Sequence, residues 1–142
     1  MGIITGGDPM QVRCTQCSKI VEYDFTKWHC ACGGAWMVVP AHPFDKKEIE
    51  RGDCSIWRYR SFFPAEIQQA QGTLGAGGTP LLPTKIDDRE IYLKLDYLNP
   101  TASFKDRGVE LMMSALALAG VEEVVEDSSG NAGASLAMYT AA

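Results

Sequence analysis

The sequence predicts an α/β fold in which an incomplete parallel sheet follows a small cysteine-bearing β segment. Two observations carry that prediction. From Gly77 onward the apolar residues alternate between the strand period and the helix period, and Cys14, Cys17, Cys30 and Cys32 fall within nineteen residues near the other end.

At 142 residues the chain is long enough for one modest core, a domain of this size burying roughly 68–70% of its unfolded surface. Hydrophobic content of 46% and charged content of 22% sit near globular averages. A net charge of −5 argues against a nucleic-acid partner, which needs clustered positive charge, and leaves small molecules as the expected partners. No apolar run reaches the length of a membrane span and no secretory segment opens the chain, so no membrane partner and a cytoplasmic setting are expected. In that setting a cluster of cysteines points to metal before disulfide.

Residues 1–9 lack usable periodicity and read as a leader, with Met10 as the start. Residues 10–40 set the four cysteines among short apolar runs, Ile20, Val21, Tyr23 and Phe25, then Trp36 to Val39, as two small hairpins around a metal would. Residues 41–76 form a linker region with a short helix near Pro64 to Gln71, and a Gly-rich stretch runs from Gly72 to Gly78. In residues 77–142, Ile91, Leu93 and Leu95 alternate with Tyr92, Lys94 and Asp96, the period of a half-buried strand. Over 103–119 two apolar stripes, Leu111, Ala115 and Leu118 beside Met112, Leu116 and Ala119, predict a largely buried helix, with Gly120 as its C′ residue. Val121, Val124 and Val125 predict a short strand, and a second helix passes through Leu136 and Tyr139. Two or three strands cannot complete a parallel sheet covered on both faces, so the chain is expected to be a truncated part of a larger domain.

Ser103 and Asp106 have capping-box spacing, which places Lys105 in the first turn of the predicted helix. An amine that attacks an aldehyde must be neutral; the positive helix end, nearby Arg107 and a dry site would each disfavour the ammonium form. One lysine in a first turn is ordinarily a solvated residue. The string Asn99-Pro100-Thr101-Ala102-Ser103-Phe104-Lys105-Asp106-Arg107-Gly108, however, resembles the cofactor-lysine motif of the fold-type II pyridoxal-phosphate enzymes. Within that group Phe104 and Asp106-Arg107-Gly108 are most similar to the threonine synthase family; Ala102 replaces a glycine common there. Gly77-Gly78-Thr79-Pro80-Leu81-Leu82-Pro83 and Trp57-Arg58-Tyr59-Arg60 also look like segments of that family, although Ala76 stands where its members commonly carry an acid. Trp57 and Tyr59 are otherwise read as linker packing.

Ser128-Ser129-Gly130-Asn131-Ala132-Gly133 lies before the second helix, where free amide N–H groups can receive an anion such as a carboxylate. The resemblance implies that Ser128, Ser129, Gly130, Asn131 and Ala132 hold the substrate's α-carboxylate, with Asn131 also bonding the phenolic oxygen of pyridoxal 5′-phosphate. Cys14-x2-Cys17 and Cys30-x-Cys32-Gly33-Gly34 resemble a zinc ribbon, which accompanies some threonine synthases, and four thiolates suit structural zinc. His29 has the x2 spacing to Cys32 that Cys30 lacks and is an alternative ligand; Cys54 reads as a small core residue.

The resemblance covers most of residues 10–142 and implies a pyridoxal-phosphate lyase that converts O-phospho-L-homoserine and water to L-threonine and phosphate. It implies a homo-oligomer, a dimer for the intact enzyme. It also places the loop for the cofactor phosphate and the partner of the pyridine nitrogen beyond Ala142, so residues 1–142 alone are expected to be inactive. Two rivals stay open: another fold-type II enzyme, cysteine synthase-like or a serine or threonine dehydratase, and a non-catalytic binding or assembly module bearing a zinc ribbon.

Overall fold

A computed structural model describes residues 10–24, 26–72 and 74–142; the expected leader, residues 1–9, and Phe25 lie outside the described residues. The chain forms two compact units. One runs up to Ile49 and adds Tyr59–Ala70; the other comprises Glu50–Arg58 and Gln71–Ala142. The stretch 41–76, read as a linker, is thus divided between them.

The first unit is built on β1 (Gln11–Cys14), whose residues alternate between solvent and core: Val12 and Cys14 are buried, Gln11 and Arg13 exposed. β1 pairs antiparallel with β2 (Ile20–Glu22) on one side and β3 (Trp36–Val38) on the other, so the sheet order is β2-β1-β3. The predicted short helix is α1 (Ala65–Gln68), entered through Pro64. Its C-terminal end is closed by the Arg60 guanidinium, which donates to the carbonyls of Gln68 (2.5 Å) and Ala70 (2.7 Å). The Met10 amide donates to Glu66 (2.6 Å), fastening the start of β1 to α1.

The second unit contains β4 (Leu81–Ile86) and β5 (Arg89–Lys94), an antiparallel hairpin with Ile86 opposite Arg89. Its two-residue turn, Asp87-Asp88, has φ of 47° and 60°, the positive pair that a type I′ turn requires. α2 (Lys105–Leu118) and α3 (Asn131–Ala141) follow. α2 ends as expected at Gly120 (φ 73°): the amides of Gly120 and Val121 return to the carbonyls of Ala117 and Leu116, the Schellman pattern.

Three expectations are corrected here. Among the described residues every paired strand is antiparallel, not parallel. No strand forms over Val121–Val125, and Val125 is 98% exposed; a parallel strand cannot satisfy its backbone alone, and no described strand lies beside it. The apolar stripes of α2 are not its packed face either. Asp106, Val109 and Glu110 are buried, whereas Met112 and Leu118 are exposed, because the helix uses carboxylates to meet its neighbours. In β5 Leu93 is exposed while Ile91 is half-buried, and Leu95, expected to continue the strand, lies just past its end.

Candidate active site and candidate metal centre

The polar residues of the Asn99–Gly108 motif other than Lys105 have traceable structural roles. Asn99, buried, accepts from the Gly77 amide (2.9 Å) and donates to the Asp96 carbonyl (2.8 Å), joining the motif to the Gly77-Gly78-Thr79 segment. Gly77 is required there: at φ 109° a Cβ would stand 2.8 Å from the backbone nitrogen of Ile56. Asp96 takes two bonds from Arg107 (2.8 and 3.2 Å) and one from Thr79 (2.7 Å), and the Arg107 guanidinium holds its carboxyl well below the usual range, at about 2. Arg107 thus pairs with Asp96 and also donates to the Thr79 hydroxyl (2.9 Å).

The capping box is also rearranged. Ser103 Oγ accepts from the amide of Lys105 (3.2 Å), and Asp106 turns inward to accept from the Thr101 amide (2.7 Å), the Thr101 hydroxyl (2.5 Å) and Ser135 (2.6 Å). Lys105 opens α2 with its side chain exposed, its Nζ 5.0 Å from the centre of the Phe104 ring; the expected dry surroundings are not present among the described residues.

One turn further along α2, Glu110 is 1% exposed and accepts from Trp57 Nε1 (2.7 Å), the Ala76 amide (2.6 Å) and the Tyr139 hydroxyl (3.1 Å). Burial, with Glu110 beside it, drives the Tyr139 phenol well above its ordinary range. Trp57 is accordingly a buried hydrogen-bond donor as well as a packing residue. Asp106 to Ser135 and Glu110 to Tyr139 are both separated by 29 positions. Equal offsets mean that α2 and α3 run in the same direction, so both N-termini open at one end. Lys105 and the Gly130-Asn131 turn share that end. No side chain caps α3, and the leading amides, Asn131 to Gly133, have no intrahelical acceptor. Ser128 accepts from the Gly130 amide (3.1 Å), and Asn131 is exposed.

The pairing of i and i+4 residues, Asp106 with Glu110 and Ser135 with Tyr139, is a signal the sequence reading missed. It was present in the sequence but hidden by the expectation that acids face water.

In the first unit the sulfurs of Cys14, Cys17, Cys30 and Cys32 all lie within 4.8 Å of one another, with Cys14 to Cys32 at 3.4 Å and Cys17 to Cys30 at 3.8 Å. A tetrahedron with metal–sulfur bonds of about 2.3 Å has sulfur–sulfur edges of about 3.8 Å, so the donor set matches zinc. Amides of Cys17 and Gln16 donate to Cys14 Sγ (3.4 Å each) and bring its thiol down to about 6. The Gly34 amide pulls Cys32 down, but the neighbouring thiols, Cys14 first, together with burial outweigh it and leave Cys32 at about 11. Gly34 leaves room for the cluster: a Cβ there would meet Cys14 Sγ at 2.6 Å. His29 is outside the set; its ring packs on Trp28, centroids 4.0 Å apart. Cys54 is exposed, not a core residue.

Residues 72–142 match the model of the pyridoxal-phosphate dependent enzyme family, half of the chain. The chain belongs to this family. Curated relatives agree: the chain is 32% identical to the threonine synthase of Methanocaldococcus jannaschii over 142 residues, 93% of this chain and 35% of the relative. It is 32% identical to that of Methanosarcina acetivorans, over 92% of this chain and 34% of the relative, and 39% identical over 90 residues to that of a Synechocystis strain. It spans about a third of the length of the first two. No solved structure matches significantly. Pyridoxal phosphate is the cofactor of the family, and an exposed amine at the helix end shared with the Asn131 to Gly133 amides suits its aldehyde.

Proposed function

We propose that this chain supplies the cofactor-lysine portion of a threonine synthase, acting on O-phospho-L-homoserine and water to give L-threonine and phosphate. The observation that carries the reading is the shared end of α2 and α3, where the exposed Lys105 amine and the Gly130-Asn131 turn open together. Lys105 would hold the cofactor through its amine and would carry protons at Cα and Cβ of the substrate. The cofactor, when bound, supplies an electron sink for charge developing at those carbons. Ser128, Ser129, Gly130, Asn131 and Ala132 receive the α-carboxylate at amides that no helix carbonyl uses, and Asn131 bonds the phenolic oxygen. The threonine synthases among the relatives support the choice of substrate.

Assay of the enzyme containing these residues with O-phospho-L-homoserine should give threonine and phosphate in equal amounts. Replacing Lys105 by Ala should cost at least about a thousandfold in kcat, since both the attachment and the proton carrier are lost. Deamination to an oxo acid, or replacement by sulfide, would instead assign it to a dehydratase-like or cysteine synthase-like member of the family.

We further propose that Cys14, Cys17, Cys30 and Cys32 bind one structural zinc, on the strength of their sulfur separations. A cytoplasmic setting, where thiols stay reduced and can bind metal, goes with that reading. The family resemblance supports a homodimer, which light scattering on the purified enzyme checks. None of the described helices is long and apolar enough to cross a membrane.

A further inference from the structure

We propose that Asp106 is the positioning residue of Lys105, tying the turn that carries the amine to the first turns of α3 through Ser135. The inference rests on the reading of Lys105 as the cofactor lysine. Asp106 adjoins Lys105 in sequence but points the opposite way: the amine is exposed, while the carboxylate is fully buried. Its oxygens take three donors, the Thr101 amide (2.7 Å), the Thr101 hydroxyl (2.5 Å) and Ser135 Oγ (2.6 Å). Thr101 lies just before the amine and Ser135 one helical turn beyond Asn131, so the carboxylate joins the two halves of the proposed site.

The geometry separates this role from general packing. Glu110 makes the equivalent contact to Tyr139 one turn deeper, and it already holds the two helices in register. A slip of one helix past the other by a turn, about 5.4 Å, would break both pairs together. Asp106 alone sits where a change of tilt or spacing moves Lys105 relative to the Gly130-Asn131 turn. A buried carboxylate that loses a donor relaxes toward those remaining, here both on Thr101, and so releases the first turns of α3 while Glu110 still holds the helix deeper down.

The test compares two deletions of the same kind. S135A and Y139F each remove one hydroxyl from a buried carboxylate, and both should lower the unfolding midpoint. The protein is titrated with pyridoxal phosphate, reduced with borohydride, and the extent of labelling is read on the Lys105 peptide by mass spectrometry. We expect S135A to weaken labelling of Lys105 by about tenfold, the loss of one hydrogen bond to a charged group, and Y139F to stay within about twofold of the parent. T101V should behave like S135A and T101S, which keeps the hydroxyl, like the parent. D106N is the more severe variant; should it fail to fold, S135A and T101V still decide. Equal labelling in S135A and the parent, or equal losses in S135A and Y139F, would overturn the positioning role while leaving the lysine reading intact. Absence of label from Lys105 in the parent protein would overturn the lysine reading itself.

Discussion

Glu110 is a side chain on which three of the second unit's polar contacts converge, and its burial departs sharply from what its residue type would suggest. An acid is among the least buried of residues unless it is paired or well hydrogen-bonded, and here an indole, a backbone amide and a phenol supply the bonds. Trp57→Phe removes the indole donor from an acceptor that water cannot reach; a loss of about 2–3 kcal/mol in unfolding free energy is expected, measurable by denaturant titration. Asp96 gives a second residue-scale prediction. Its folded value, lowered to about 2 chiefly by Arg107, lies below the ordinary 3.8, so its contribution is fully present above about pH 4 and is lost as pH falls toward 2. Asp96→Asn should lower stability at neutral pH and flatten that acid limb in thermal melts recorded from pH 5 to pH 2.

At the scale of the element, what was legible was what local chemistry decides. α2 and its Schellman end could be read from Lys105 to Gly120, and α3 from its position after the Ser-Gly-Asn turn, because helix ends are set by a few neighbouring residues. The Val121–Val125 strand was misread because strand formation depends on a partner elsewhere in space, which no periodicity reports. β4 was missed for a different reason: Leu81 to Ile86 contains Pro83 and no clean alternation, yet Asp87-Asp88 is a turn pair that brings it against β5. Aspartate tolerates a positive φ less well than glycine. Asp88→Gly, at φ 60°, should therefore raise the unfolding midpoint, by roughly 0.5 kcal/mol in stability, and slow amide exchange along β4 and β5.

For the whole molecule, the two units are stabilised by different means, and this was partly visible in the sequence. The Asn99–Gly108 string pointed to the family to which the chain belongs. It did not announce that the motif's own polar residues, Asn99, Thr101, Ser103 and Asp106, are spent on holding the backbone, since their partners Gly77 and Ser135 are distant in the chain. In the first unit the cysteine spacing pointed to the four residues whose sulfurs come together, Cys14, Cys17, Cys30 and Cys32, and His29 lies outside that set. The sheet there offers a thin core, with Met10, Val12, Cys14 and Cys30 buried and Ile20, Met37 and Val38 exposed. Burial on that scale cannot offset the entropy of ordering three short strands and two turns. Zinc binding by small thiolate sites is worth about 10–16 kcal/mol at neutral pH, which is ample to close the gap. Purified protein should therefore carry one equivalent of zinc, and a strong chelator should release amide protection at Val12, Val21 and Met37 while α2 keeps its own. Well under one equivalent, or protected strands after chelation, would show that unit to be held by packing alone. Cys14→Ser should reproduce the chelated state, because Cys14 is both a proposed ligand and part of the core, and added zinc should fail to restore it.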